Sequence, residues 1–489
     1  VIAEPDEQTV ARIVARRARE DPDGVAFAEV TSGPQLTWSE YEQRSDRFAA
    51  WLRSFGWDRG DRVAFQLPDD ATVHTAMLGC EKAGFVAVGI GFRAGVREVE
   101  DLVKRTAARM LVTDADVSDV EAPARLPLVD PALRRNELWF LNSTSGTTGL
   151  PKIVMHTQAR WFAFHAFAHR IARFGPGDVF LSAVPAPFGF GLWTAHFTPT
   201  IVGAPCITCA PFSADAVLAA IERYRVTVLA AVSTQFVMLL NSPTFDTYDL
   251  SSLRVLFTGG EMVPYERARE FEERTGAGVL QFYGSNETGA LSATTLDDPP
   301  ARRLRTAGCV IPEMQVRLLD PANDADITRT GGPGIPAGKG PTLSLGYWDD
   351  PAGNERLFTD DGWMRMGDLA TIDADGYLTV VGRSSDVIIR GGKNVSAAQV
   401  EDEVGSHPAV ALCAAVAIPD ATFGERVCAF VELREGYTAL TLAMLVAHLD
   451  GRGTGKELWP ERLVVLDALP RSSGGKLAKG ELAALARNL

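Results

Sequence analysis

Ser143-Thr144-Ser145-Gly146-Thr147-Thr148-Gly149-Leu150-Pro151-Lys152 gathers two glycines, five hydroxyl side chains and a terminal lysine into one short stretch. Such a loop can wrap a polyphosphate. Glycine lets the backbone approach closely, and successive backbone N–H groups form an anion-binding nest. The hydroxyls add donors and the lysine adds a movable positive charge. It is not a Walker A loop, because Leu150-Pro151 precede the lysine and no Ser or Thr follows it. A Ser/Thr/Gly-rich surface turn would have the same composition, so this stretch alone does not decide the chemistry. The second candidate is Cys206-Ile207-Thr208-Cys209, with CxxC spacing. It lies in a run that reads as a strand, where residues three apart point to opposite faces. No second pair or nearby histidine completes a metal site, which argues against zinc or redox chemistry.

The elements that must position these residues alternate between strands and helices. Thr37-Trp38-Ser39-Glu40 is a capping box, followed by Tyr41, Phe48, Leu52 and Phe55 at helical spacing and closed by Gly56. Val63 to Leu67, Val86 to Val88, Val226 to Ala231 and Val255 to Phe257 read as short buried strands. This rhythm predicts an α/β fold with largely parallel sheets, in which ligands bind beyond the carboxyl ends of strands. Thr258-Gly259-Gly260-Glu261 occupies such a position. Asp373-Ala374-Asp375-Gly376 predicts a turn between two short strands. A domain boundary falls near Gly382 to Asp386, giving a large N-terminal α/β domain over 1–384 and a small mobile α+β domain over 385–489. In the latter, Val387-Ile388-Ile389 and a Gly-Gly turn precede a helix opened by Ser396-Ala397-Ala398-Gln399. The Gly/Pro-rich run from Thr330 to Gly340 reads as a mobile loop.

The chain has 489 residues, more than one hydrophobic core normally serves. Its 46% hydrophobic and 22% charged residues are ordinary for a globular protein. A formal net charge of −14 repels nucleic acid and anionic membranes, so a phosphate-bearing ligand must be held by local basic groups and N–H nests. No basic stripe supports nucleic-acid binding. No apolar run is long enough to span a bilayer, and the first residues are acidic where a signal peptide would be basic then apolar. A cytoplasmic enzyme is the simplest reading. The cysteines, six in all, do not suggest a disulfide scaffold.

Five stretches, in order, resemble the adenylate-forming superfamily of acyl-CoA synthetases, stand-alone adenylation domains and luciferases. They are the phosphate loop, Tyr283-Gly284-Ser285-Asn286-Glu287, Gly362 through Asp368, Gly382 through Asn394, and Pro470-Arg471-Ser472-Ser473-Gly474-Gly475-Lys476. Weaker similarity in Leu36-Thr37-Trp38 and Leu345-Gly346-Tyr347-Trp348 extends it over essentially the whole chain. The resemblance implies that a carboxylate attacks the α-phosphate of ATP to give an acyl-adenylate and pyrophosphate. A thiol, usually coenzyme A, then displaces AMP. It implies nucleotide contacts from Thr144, Ser145, Gly146, Thr147, Thr148, Gly149, Lys152, Gly260, Glu261, Tyr283, Gly284 and Asn286. Glu287 matches the glutamate that binds Mg2+, Asp368 the aspartate that accepts the ribose hydroxyls, and Arg383 an arginine that also addresses the ribose. Lys476 matches the catalytic lysine that bridges carboxylate and α-phosphate. Ser385 falls at the hinge about which the small domain swings between half-reactions. Gly391 and Gly392 match the turn that lines the pantetheine tunnel in CoA-using members, although a Gly-Gly turn is common elsewhere.

Several departures bear on the substrate. Asn286 stands where threonine commonly contacts the α-phosphate, and an amide can still donate. Serine at 385 replaces the usual aspartate or lysine. Phe188 stands where many acyl-CoA synthetases carry histidine. By family position Phe188, Phe190, Trp193, Thr234, Gln235 and Gly259 form the acid pocket. Its aromatics suit an apolar, ring-shaped acid, or are ordinary core. The run Phe190 to Thr194 lacks the aspartate with which amino-acid-activating members pair the substrate ammonium. An ammonium would lie there without a counter-charge, at a cost of several kcal/mol. Around Gly338-Lys339-Gly340 the chain looks shorter than the family pattern, and it begins at Val1 without methionine; residues left out would account for both. The expectation is an ATP-dependent carboxylate–CoA ligase for an aromatic, alicyclic or medium-length apolar acid. The alternative is an adenylating enzyme that serves an acyl carrier protein or another acceptor. A non-catalytic nucleotide-binding protein would not need Glu287, Asp368, Arg383 and Lys476 together.

Overall fold

The computed structural model describes residues 8–31, 35–113, 132–144, 151–261, 263–330, 332–383, 387–390, 393–420, 422–471 and 477–487. Two sheets dominate the large domain. The wider runs Cys309–Val310, Gly289–Ala293, Gly278–Ser285, Val255–Gly259, Val228–Ala230, Phe180–Ser182, Cys206–Thr208, Val25–Glu29, Leu36–Thr37 from edge to edge. Its interior strands, from Gly278–Ser285 to Val25–Glu29, are all parallel, with antiparallel strands at both edges. The second sheet runs Met110–Val112, Arg62–Phe65, Val86–Gly89, Leu138–Thr144, Lys152–Thr157, the last pair antiparallel. Strands such as Val255–Gly259 are buried at every position. They read as unbroken apolar runs because parallel strands are covered on both faces.

The helices follow from local signals. Thr37 caps Trp38–Ser54 by accepting from Glu40 N while Glu40 returns to Thr37 N at 2.9 Å, a reciprocal box of about 1 kcal/mol. This helix packs on Ala71–Ala83, which is buried throughout from Val73 onward. Gly79 permits the close crossing, since a Cβ there would lie 2.9 Å from Ser45 O. Lys82 is tolerated inside because Glu42, Asp46 and Ser45 take its ammonium at 2.7, 2.8 and 2.9 Å. Cys206 and Cys209 are buried free thiols, and burial pushes Cys209 up to about 11, which removes the redox reading.

One expectation is corrected. The Gly/Pro-rich run is not a loop throughout: Ile335–Lys339 is a strand between Gln315–Leu319 and Met364–Arg365. Gly338 is needed there because a Cβ would come 2.3 Å from Leu291 Cδ2, so the glycine marks tight packing rather than freedom. The expected turn at 373–376 joins strands Asp368–Ile372 and Leu378–Arg383. In the small domain Val387–Arg390, Lys393–Ser396, Val410–Asp420, Gly424–Leu433 and Arg462–Val465 form one sheet. Helix Ala397–Gly405 packs on it, with Ser396 Oγ accepting from Gln399 N.

Candidate active site

The turn after strand Gly278–Ser285 is the hub. Gly284 sits so close to the neighbouring strand that a Cβ would lie 1.6 Å from Gly289 O, and no other residue fits. Ser285 Oγ then accepts from Glu287 N at 3.2 Å and Thr288 N at 3.1 Å, closing the turn. Three groups meet there. Tyr283 donates its hydroxyl to Asp368 Oδ2 at 2.9 Å, and Tyr347 donates to Glu287 Oε1 at 2.8 Å. Lys152 lies over the Tyr347 ring, 4.4 Å from its centroid. Burial, then the Glu287 charge, pushes the Tyr347 hydroxyl above its ordinary range, so it stays a donor. Lys152 pairs in register with Thr144, which fixes the base of the predicted phosphate hairpin against this turn. Asp368 and Arg383, fifteen positions apart in sequence, are direct partners in their hairpin.

Beneath the turn lies a buried polar network that the sequence reading did not find. Arg160, only 2% exposed, donates to Thr342 O at 2.9 Å, Asn286 O at 2.9 Å and His156 Nδ1 at 2.6 Å. His156 Nε2 meets Asn142 Oδ1 at 2.8 Å, and Asn286 Nδ2 meets the same oxygen at 2.7 Å. Asn142 Nδ2 donates to Pro187 O at 2.8 Å. Burial and the adjacent Arg160 push His156 well below its ordinary range, so it is neutral. Burial lowers Arg160 to about 9, opposed by the Glu287 charge. The available signal was an arginine inside an aromatic run, Arg160-Trp161-Phe162-Ala163-Phe164, with no acid nearby in sequence.

The pocket candidates separate. Trp193 is 1% exposed and packs among Phe164, Phe257 and Phe282 at centroid distances of 4.8, 4.8 and 5.5 Å, as a core residue. Phe188 and Phe190 are half-buried, and Phe190 stacks on Trp193. Thr234 and Glu261 are joined, since Glu261 Oε1 accepts from Thr234 N at 3.1 Å at the start of helix Ser233–Leu240. Gln235 is committed to the scaffold: its oxygen accepts from Val232 N and its nitrogen donates to Ala183 O. Gly259 lies where a Cβ would meet Phe282 O at 2.5 Å, and Gly260 has a positive φ of 78°. Asp69, also missed by the sequence reading, holds the Phe188 segment by accepting from Ala186 N at 2.6 Å.

Ser145, Gly146, Thr147, Thr148, Gly149, Ser385, Gly391, Gly392 and Lys476 lie outside the described residues, as do the side chains of Thr144 and Arg383. The small domain meets the large one through Asp402, which accepts from Tyr265 N at 3.1 Å, and Arg471, which donates to Met238 Sδ at 2.8 Å. Met238 is on helix Ser233–Leu240, which also carries Thr234 and Gln235.

The AMP-binding enzyme family profile matches residues 14–348, and that of the AMP-binding enzyme C-terminal domain matches 399–476. The chain belongs to the AMP-binding enzyme family. It is 32% identical to the medium-chain fatty-acid–CoA ligase of Escherichia coli K12, over 94% of this chain and 88% of that protein. It is 31% identical to the salicyl-AMP ligase / salicyl-S-ArCP synthetase of Mycobacterium tuberculosis, over 96% of this chain and 90% of that protein. Among solved structures it resembles o-succinylbenzoate CoA synthetase from Bacillus subtilis in complex with its acyl-adenylate intermediate. There the TM-score is 0.84 and the identity 26%, over 96% of this chain and 97% of that one. No helix among the described residues is long and apolar enough to cross a membrane.

Proposed function

We propose that this chain is an ATP-dependent, AMP-forming acid–CoA ligase for an aromatic, alicyclic or medium-length apolar carboxylic acid, with residues 1–384 binding ATP and acid and 385–489 moving between half-reactions. The observation that carries the reading is the gathering of Asn286, Glu287 and the Tyr283–Asp368 pair on one turn beside Lys152. In the first step a carboxylate oxygen of the acid bonds to the α-phosphorus of ATP. The α–β bridging bond breaks and pyrophosphate leaves with its electron pair. In the second, the sulfur of coenzyme A bonds to the acyl carbon, the thiol proton is lost, and AMP leaves as the carbon–oxygen bond breaks.

The residues divide the work. Lys152 and the N–H groups of 145–149 hold the outer phosphates. Asp368, oriented by Tyr283, takes the ribose hydroxyls, with Arg383 opposite it in the hairpin. Lys476 supplies the positive charge between carboxylate and α-phosphate, and Ser385 is the hinge. Gly391 and Gly392 leave room for the pantetheine arm. Glu287 is a hard oxygen ligand suited to Mg2+, which typically takes one or two carboxylates and completes its shell with phosphate oxygens and water. When bound, the ion neutralises charge on the phosphates. Half-buried Phe188 and Phe190 support an apolar acid.

A second reading, transfer to an acyl carrier protein in place of coenzyme A, is favoured by the likeness to the salicyl-S-ArCP synthetase. The test is pyrophosphate release with ATP and Mg2+ across aryl, alicyclic, fatty and amino acids, with and without coenzyme A. Turnover that accelerates with coenzyme A for one acid class supports the ligase. Release that ignores coenzyme A favours the carrier protein. A Lys476→Ala variant that adenylates at full rate refutes the assignment.

A further inference from the structure

The network beneath the site has a defined hydrogen-bond polarity, because both of its ends are chemically one-sided. A guanidinium only donates, so Arg160 makes His156 Nδ1 an acceptor. In neutral imidazole the other nitrogen then carries the proton, and His156 Nε2 donates to Asn142 Oδ1. At the far end Pro187 O only accepts, which turns the Asn142 amide nitrogen towards it and agrees with the same sense. Asn286 therefore must present its NH2 to Asn142 Oδ1, at 2.7 Å, and that uses one of its two N–H bonds. Its Oδ1 in turn accepts from Asn142 Nδ2 at 3.4 Å, in the same sense. Among the described residues no protein acceptor takes the second N–H, and Asn286 is half-buried at the turn that carries Glu287.

We infer that Asn142, His156 and Arg160 are positioning residues that orient the Asn286 amide, so that its second N–H donates to an anionic oxygen of the nucleotide or acid in the adenylation site. The inference rests on the proposed function for the identity of that oxygen. A preset donor needs no reorientation when negative charge develops, which is what makes such groups effective. An amide at this position is free to flip end for end, and an inverted Asn286 would present its oxygen to the substrate and repel it. The relay removes that freedom.

A double-mutant cycle tests it, read both as ATP affinity by calorimetry and as kcat and KM for pyrophosphate release. Asn286→Ala is expected to weaken one or both by about tenfold to a hundredfold, the worth of one hydrogen bond to a charged group. His156→Leu should cost a similar factor, yet add less than about twofold in the Asn286→Ala background, because its effect runs through the missing amide. His156→Gln, whose amide can accept from Arg160 and donate to Asn142, should recover most of the loss. Equal fold-losses for His156→Leu with and without Asn286, or a His156→Leu enzyme like the parent, overturn the inference. If His156→Leu does not fold, Asn142→Leu runs the same cycle. A parent enzyme that binds ATP but activates no acid refutes the proposed function alone, and the affinity cycle still decides this point. A parent that binds no ATP overturns both.

Discussion

Removing one oxygen atom, in Tyr347→Phe, isolates the group that aims the Glu287 carboxylate. The bond is 2.8 Å long, and Tyr347 is 6% exposed, so water replaces the hydroxyl poorly. A hydrogen bond to a charged group in such a setting contributes about 1.5–3 kcal/mol, which corresponds to roughly ten- to 150-fold in an equilibrium constant. Loss of a partner that orients a metal ligand typically costs about 10–100-fold in metal affinity, and the two ranges overlap. The phenylalanine ring keeps the face over which Lys152 sits at 4.4 Å, so the phosphate side of the site is left in place. The apparent Mg2+ midpoint for pyrophosphate release should therefore rise by about 10–100-fold, with much of the rate returning at saturating Mg2+. Thioester formation from preformed acyl-adenylate should change little. The assay is a Mg2+ titration of adenylation at fixed ATP, paired with calorimetry of Mg-ATP binding. An unchanged midpoint refutes the assignment of Glu287 to the metal, and an equal loss in both half-reactions shows that the hydroxyl acts on something else.

Trp193→Ala should destabilise the large domain by about 3–5 kcal/mol in denaturant unfolding, because it empties a site enclosed by Phe164, Phe257 and Phe282. A loss below 1 kcal/mol would show that the surrounding rings collapse into the space. Gly284→Ala puts a methyl 1.6 Å from Gly289 O and should abolish adenylation through displacement of the Asn286–Glu287 turn; an active, ATP-binding variant contradicts the close approach. Asp69 sets a pH dependence: burial raises its carboxyl to about 7 from 3.8, partly offset by the Ala186 N–H, with Asp70 adding to the rise. Cys206 and Cys209 also face it, as thiols that burial keeps protonated. Because the folded value is the higher one, its contribution is complete below about pH 4 and is lost as pH rises through 7, by up to about 4 kcal/mol. Asp69→Asn keeps the oxygen that accepts from Ala186 and should be more stable than the parent at pH 8, as read by thermal unfolding. A parent-like pH profile in that variant would assign the slope to another group.

Much of the scaffold was legible because its signals are local. Thr37 and Glu40 specify a helix start by hydrogen bonds three residues apart, and the apolar runs at 63–65, 86–88 and 255–257 are strands that two covered faces require. Gly/Pro content misled at 335–339, where composition favours a loop and Gly338 is there to clear Leu291 on a neighbouring strand. The aromatic stretch 188–193 was legible as apolar but not as pocket or core, since that depends on which rings meet. Phe164 and Phe282 reach Trp193 from distant segments, and the tryptophan is core.

The candidate residues for adenylation and their order were readable from the chain alone: Lys152, Asn286, Glu287, Asp368 and, beyond the described residues, Lys476. Motif spacing carries that information because each short segment must present its groups on one turn. The tertiary structure decided what holds those groups. Tyr347 on Glu287, Tyr283 on Asp368, and the run from Arg160 through His156 and Asn142 to Asn286 join residues 60 to 144 positions apart or set their partners. Hydrogen bonds act over 3 Å and leave no periodicity in a chain. They are made only where the parallel sheet's strand ends, the antiparallel Asp368–Arg383 hairpin and the segment around Tyr347 converge on one turn.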